Sequence, residues 1–306
     1  MNGINKSVEG SVPTIKISKE NKKTPVTLEE AKRILGSDFF GPDTVGKVFD
    51  MELKNIPPIP FSKEEVEAMK GREQIIFYPD TLKDGQPVTV NTLQESFSSK
   101  GKDLVEFSDF SAAPKKSVEA RGGWAAISKE PIPGASETTW LSQTEAKVKY
   151  LKDVVYSGQT MPPEYVEAIK EFETAAAEIE VRMSNIHDRK YIEYATLKHD
   201  NGELYTHKRN QHGMPGDLDD EKITNIIRHL KIVELTTERF PEAAVTLLLN
   251  KSVNGKEKPR ENMTVTGTYD YDDGALCIGR DGGAGLHAGI ARYQNNTCDM
   301  YLYRRG

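Results

Sequence analysis

The spacing of apolar residues changes character along the chain, and that change restricts the fold more than any single motif does. Glu73–Tyr78 (EQIIFY) has the β-branched and aromatic make-up of a buried strand and is closed by Pro79-Asp80. Residues 122–128 (GGWAAIS) read as a second strand, ended by Pro131 and Pro133. From residue 142 to about 198 the apolar residues recur instead at helical intervals, and they do so again over residues 219–240. From Met263 onward the pattern returns to short strands and turns. Runs of strand and runs of helix, rather than strict alternation, predict an α+β protein with a helical and mixed body and a strand-rich C-terminal part.

Within the body, side chains that cap helices mark where they start. Thr27-Leu28-Glu29-Glu30 places a hydroxyl three residues before a carboxylate, and Leu28, Ala31, Ile34 and Leu35 follow at helical spacing up to Gly36. Gly41-Pro42-Asp43 opens a second helix, expected to run through Val45, Val48 and Phe49 to Leu53. Ser62-Lys63-Glu64-Glu65 repeats the capping spacing and opens a short helix to Met69. Between them Ile56-Pro57-Pro58-Ile59-Pro60 reads as an extended connector, because proline fixes φ and lacks an amide donor. A short helix is expected around residues 92–97 and irregular chain over 98–120. Residues 143–156 form one amphipathic helix, and Pro162-Pro163-Glu164 starts another that fades near Tyr194; the two are expected to pack as a hairpin. His187 and His229 fall on expected helices, and Trp124 and Trp140 read as core anchors. Residues 199–218 read as a long polar loop, 219–240 as one helix, and Pro241-Glu242 as the start of a last helix to about Asn250. The organisation expected is a disordered arm over residues 1–24 and a mixed α/β segment over 25–133. Residues 134–306 then form a helical segment leading into a C-terminal region of about 262–306.

The 306 residues suffice for one large or two ordinary domains. A net charge of -6 argues against nucleic acid as the main partner, since phosphate contact needs a basic face. No apolar run approaches the length of a membrane span, and the first residues lack the apolar core of a secretory signal. Two cysteines, Cys277 and Cys298, make no disulfide framework, so the cytoplasm is the default compartment, with a virion or cell surface as the alternative.

Motifs that would carry chemistry fail on context. Gly283-x-Gly285-x-x-Ala288 follows a strand-like stretch but lacks room for the helix, second strand and acid that a dinucleotide site requires. Asp270, Asp272 and Asp273 with Gly274 miss the calcium-loop spacing, and an Asp-Gly turn between strands fits better. His199, His207 and His212 match no familiar zinc spacing, and no nucleophile elbow, phosphate loop or His-Glu-x-x-His is present. No cofactor or metal is expected, and no catalytic residue is assigned.

What sets the tail apart is its composition. Lys and Glu are scattered throughout the chain, yet neither occurs after Glu261, while Asp, Asn, Arg and Tyr persist. A solvated face uses Lys and Glu freely, so this mixture suits a surface that meets something other than water. Gly123-Trp124-Ala125-x-x-Ser128-Lys129-Glu130-x-Ile132-Pro133 resembles a family of mostly uncharacterised proteins of small uncultured bacteria, archaea and their viruses. The same resemblance is carried by Gln143-Thr144-Glu145-Ala146 with Tyr150-Leu151-Lys152, by Met161-Pro162-x-Glu164-Tyr165 and by the Glu261-Asn262-Met263 junction.

The ending resembles the variable region of diversity-generating retroelement target proteins, whose C-terminal domain has a C-type-lectin-like (formylglycine-enzyme-like) fold. There an error-prone reverse transcriptase rewrites asparagine codons into codons that cannot encode Lys, Glu, Gln, Met or Trp. From Gly267 to Arg292 none of those five occurs here. Thr266-Gly267-Thr268 stands where that family usually has Trp-Thr-Ser, and Met300 where it has Gly. The resemblance implies a non-catalytic protein that binds a protein or cell-surface ligand through a hypervariable surface. The implied contact residues are Tyr269, Tyr271, Arg280, Asp281, His287, Arg292, Tyr293 and Asn295, with strand alternation turning part of this set inward. Two alternatives stay open: an enzyme with a carboxylate or metal site, and a viral or cell-surface structural protein.

Overall fold

Both capping signals are realised in the computed structural model, which describes residues 24–98, 105–107, 118–133, 140–186, 229–254, 263–270, 274–281, 285–291 and 298–305. Thr27 Oγ1 accepts from the Glu30 amide at 3.2 Å while Glu30 Oε2 accepts from the Thr27 amide at 3.2 Å, opening α1 (Leu28–Leu35). Ser62 and Glu65 make the same exchange at 3.3 and 2.7 Å to open α3 (Lys63–Met69). Between them α2 (Pro42–Phe49) stops four residues short of the expected Leu53. Asp50 there takes the left-handed conformation (φ 57°, ψ 52°) and its amide returns to the Gly46 carbonyl, a termination that aspartate tolerates better than most residues. After α3 come β2 (Glu73–Tyr78) and α4 (Val90–Ser98), both where the sequence placed them.

Two short strands were not legible. β1 (Phe39–Phe40) pairs parallel with β2, and β3 (Val105–Phe107) lies inside the stretch expected to be irregular. β4 (Gly123–Ser128) then runs antiparallel to β2 in full register, Glu73 opposite Ser128 and Tyr78 opposite Gly123. Gly123 starts β4 at φ +109°, a backbone conformation that L side chains rarely adopt.

The helical part is reorganised relative to expectation. α5 (Trp140–Tyr150) continues into a wide turn at Leu151–Val155, and α6 (Pro163–Ile186) follows. Instead of an isolated hairpin, α7 (Lys231–Thr236) packs against both, and the three share a core of Val148, Leu151, Tyr165, Phe172, Ile232 and Leu235. Of the expected helix over 219–240, the first part lies outside the described residues and the rest is broken. His229 sits in a turn, α7 spans six residues, and residues 237–239 leave the helical path before α8 (Phe240–Asn254). Pro241 lacks the amide that would bond the Thr237 carbonyl and its ring would clash with it, so the helix restarts here, and carbonyls near the break are taken by distant cations, described below. The polar loop with His199, His207 and His212, and the arm over 1–24 apart from Thr24, lie outside the described residues, as do His187 and the Trp140 side chain.

The last strands form β5 (Met263–Asp270), β6 (Gly274–Asp281), β7 (Gly285–Ala291), β8 (Cys298–Asp299) and β9 (Tyr303–Arg305). β9 leaves its neighbours and joins the first sheet beside β4, giving the order β1-β2-β4-β9, while the second sheet has the order β3-β7-β6-β5-β8. Gly285–Ala291 is a strand, so no helix follows Gly283-x-Gly285 and the dinucleotide motif lacks its required context. Mixed sheets and packed helices make the α+β class plain.

α8 holds the body together. Every residue from 241 to 250 is buried, and the helix lies against α2, α4, β2, β5 and β6. On the far side of the first sheet Trp124 stacks on Phe39 at 5.7 Å, meets Phe77 edge-on at 5.1 Å and donates its indole N–H to the Pro57 carbonyl at 2.8 Å, which anchors the proline connector.

Candidate functional site

An apolar helix can bury polar groups only if each finds a partner, and α8 carries a stripe of them. Glu242, Thr246 and Asn250 recur every four residues and continue back to Glu238, so they share one face, the face that meets β2. Asn250 and Gln74 exchange two bonds, at 2.9 and 3.0 Å. Tyr78 shares a 2.7 Å bond with Thr246 and donates to Glu238 at 3.3 Å, and burial followed by the nearby Glu238 charge pushes its phenol far above the ordinary range. Thr246 also donates to Glu238 at 2.7 Å.

Arg121, arriving from the loop before β4, closes the stripe at its other end. Its Nε and Nη2 donate to the two Glu242 oxygens at 2.8 and 2.7 Å, its backbone amide adds a third bond at 2.8 Å, and its remaining donors reach the carbonyls of Glu234 at 2.5 Å and Thr237 at 2.8 Å. Burial works against this cation, and the bonds and charge of Glu242 outweigh it, so Arg121 stays charged at any ordinary pH. The guanidinium also lies 4.8 Å over the ring of Tyr303, which ties α8 to β9.

β9 is gripped residue by residue. Arg304 makes a bidentate pair with Glu73 at 3.0 and 2.5 Å, enclosed by the rings of Phe61 and Tyr156. The Arg305 guanidinium donates to the Gly122 carbonyl at 2.9 Å, and its own carbonyl accepts from the Tyr165 hydroxyl at 3.1 Å. Lys147 completes the set of enclosed cations. It is 2% exposed and donates to the Thr236 carbonyl at 3.0 Å and to Thr237 Oγ1 at 2.5 Å; burial lowers its amine to about 7, only partly countered by Glu238.

This frame holds the second sheet. Ile278 of β6 and Thr266 of β5 are fully buried, which fixes the face turned to the body. Register then places the expected contact positions. Tyr269 pairs with Ala275, His287 with Gly279 and Asp281 with Gly285, all at positions on the face opposite Ile278, whereas Arg280 pairs with Leu286 on the Ile278 face. Asp281 of β6 and His287 of β7 are near the same end of their pair on one face, Arg280 is there on the other face, and Glu106 of β3 pairs with His287. Tyr269 lies at the other end, roughly 20 Å along the strand at about 3.4 Å per residue. Tyr271, Arg292, Tyr293 and Asn295 lie outside the described residues. The Asp-Gly segment closes an antiparallel pair, Asp270 opposite Gly274, as a turn requires.

The buried set of Arg121, Lys147, Glu238 and Glu242 was not singled out from sequence. The four-residue recurrence of polar groups through the apolar stretch AAVTLLLN was its one readable trace. Among the described residues no three His, Cys, Asp or Glu side chains are grouped to hold a metal ion, and no helix is long and apolar enough to cross a membrane. No protein-family model matches the chain, and no curated protein or solved structure matches it either.

Proposed function

We propose that the chain is a non-catalytic binding protein whose C-terminal sheet displays an exchangeable set of side chains on a C-type-lectin-like scaffold, as in the targets of diversity-generating retroelements. The observation that carries this reading is the abrupt loss of Lys and Glu after Glu261. A glycine-rich ribbon accounts for the glycines, but a codon-restricted mutational process accounts for the missing residues as well. The division of labour in the fold agrees with it. Among the described residues, side-chain bonds tie α8, β2, β4 and β9 together, and Tyr269, Asp281 and His287 stand at positions on the sheet face that does not carry Ile278. The partner class is a protein or a cell-surface ligand, met by tyrosine, histidine and charged groups that bring large contact area or strong directional bonds.

Sequencing the gene across a natural population tests the proposal. Residues 264–305 should vary many-fold more than residues 142–240, with changes concentrated at asparagine-type codons, and a near-copy of this coding segment should lie beside a reverse-transcriptase gene. Equal variability in the two segments overturns it.

A further inference from the structure

The two cores of the body meet at the short break between α7 and α8, and one side chain from α5 crosses that seam. Lys147 lies among residues of the second core, such as Val148 and Leu151, yet its amine ends on Thr236 and Thr237, just before Phe240 of the first core. Both acceptors are neutral oxygens. On the other side of the same break, Arg121 takes the Thr237 carbonyl and both oxygens of Glu242, so that carboxylate is already matched. Glu238, 4% exposed, is the carboxylate whose charge reaches Lys147, and it is bonded by Tyr78 and Thr246. Of the other charged groups around the seam, Glu145 and Lys149 on α5, Lys152 and Asp153 on the following turn, and His229, Lys231 and Glu234 at α7 are exposed to water. One turn before Lys147, on the same face of α5, Gln143 Oε1 is buried with no hydrogen-bond partner. Lifting α5 from the seam would return both groups to water, whereas closing it encloses an amine without a direct counter-ion and an unmatched acceptor.

We propose that Lys147 is a pH-sensitive latch between the two cores: uncharged, it closes α5 on the α7–α8 break, and protonation favours states in which α5 lifts away. The sign follows from the two proton affinities. The opened chain binds the proton near the ordinary lysine value of 10.5, the closed chain only near 7. Between those values the opened chain holds more protons, so closure strengthens as pH rises above about 7 and is weakest below it.

Hydrogen exchange of the full chain at pH 6 and pH 8.5, corrected for intrinsic rates, reads the latch directly. Amides of α5 should lose on the order of tenfold protection at the lower pH, while those of β2 and β4 change less. Lys147→Met, which keeps the length of the side chain without the amine, should abolish the pH dependence in α5. Unchanged protection in the wild type, or the same loss in Lys147→Met, overturns the proposal. Should Lys147→Met fail to fold, a nuclear magnetic resonance titration of the wild-type Lys147 amine decides. A midpoint near 7 supports the latch, and one near the ordinary 10.5 sinks it.

Discussion

Glu73 and Arg304 are 5% and 3% exposed at their side chains, and Glu242 and Arg121 are similarly enclosed, so neither pair has water to fall back on. Such pairs contribute little relative to an apolar replacement of both members, but removing one member strands the other. Glu73→Leu should therefore cost ~3–5 kcal/mol in urea unfolding, and adding Arg304→Met to it should recover most of that loss. A double variant as unstable as the single one would show that the pair is valued for its geometry and not for charge matching. Gly123 presents a different constraint. With φ at +109°, Gly123→Ala should destabilise by about 1–3 kcal/mol through backbone strain alone, since nothing lies within 4 Å of the added methyl group. The sequence showed two adjacent glycines at the start of a strand. It could not show that only the second needs a positive φ.

At the scale of elements, legibility follows the range of the interactions involved. α1 and α3 were readable because their capping partners lie three residues apart, and β2 because its apolar character is continuous. Ser62→Ala, which removes one half of such a cap, should cost about 1 kcal/mol in thermal or urea unfolding. β1 and β3 escaped notice because strands of two and three residues exist through what they pair with. The partners that hold the break at residues 237–239 escaped for the same reason. Pro241 marks a boundary locally, but the carbonyls left free at the break are taken by Lys147 and Arg121, 89 to 116 residues away in sequence, and helical periodicity carries no trace of those partners. The cysteines sharpen at this scale too. Cys277 lies on β6 and Cys298 on β8, with β5 between them, so their Cα atoms stand at least ~9.6 Å apart, beyond disulfide reach. Thiol titration of the denatured, unreduced monomer should find two free thiols per chain, and a Cys277–Cys298 bond within one chain, seen by peptide mapping, would contradict the register of the second sheet.

For the whole molecule, the sequence indicated the class, the helical body and the peculiarity of the tail. The location of the supporting frame was hidden, because Arg121, Lys147, Glu73 and Arg304 read individually as ordinary charged residues and acquire their roles only by meeting across 89 to 231 residues of sequence. Of the expected contact positions, Asp281 of β6 and His287 of β7 lie near one end of their pair on one face, Arg280 lies there on the opposite face, and Tyr269 stands at the other end.

The return of β9 to the first sheet has a further consequence under the proposed function, in which the late codons are rewritten. Tyr303, Arg304 and Arg305 are translated after the whole second sheet, so they arrive only if the reading frame through residues 263–299 survives. A frameshifted or prematurely stopped copy would leave β4 with an open edge and Glu73 as a buried charge facing nothing. On the proposed function, the grip on β9 would act as a check on message integrity: exchanges on the sheet face opposite Ile278 leave β9 and its partners in place, whereas a copy that has slipped its frame lacks them.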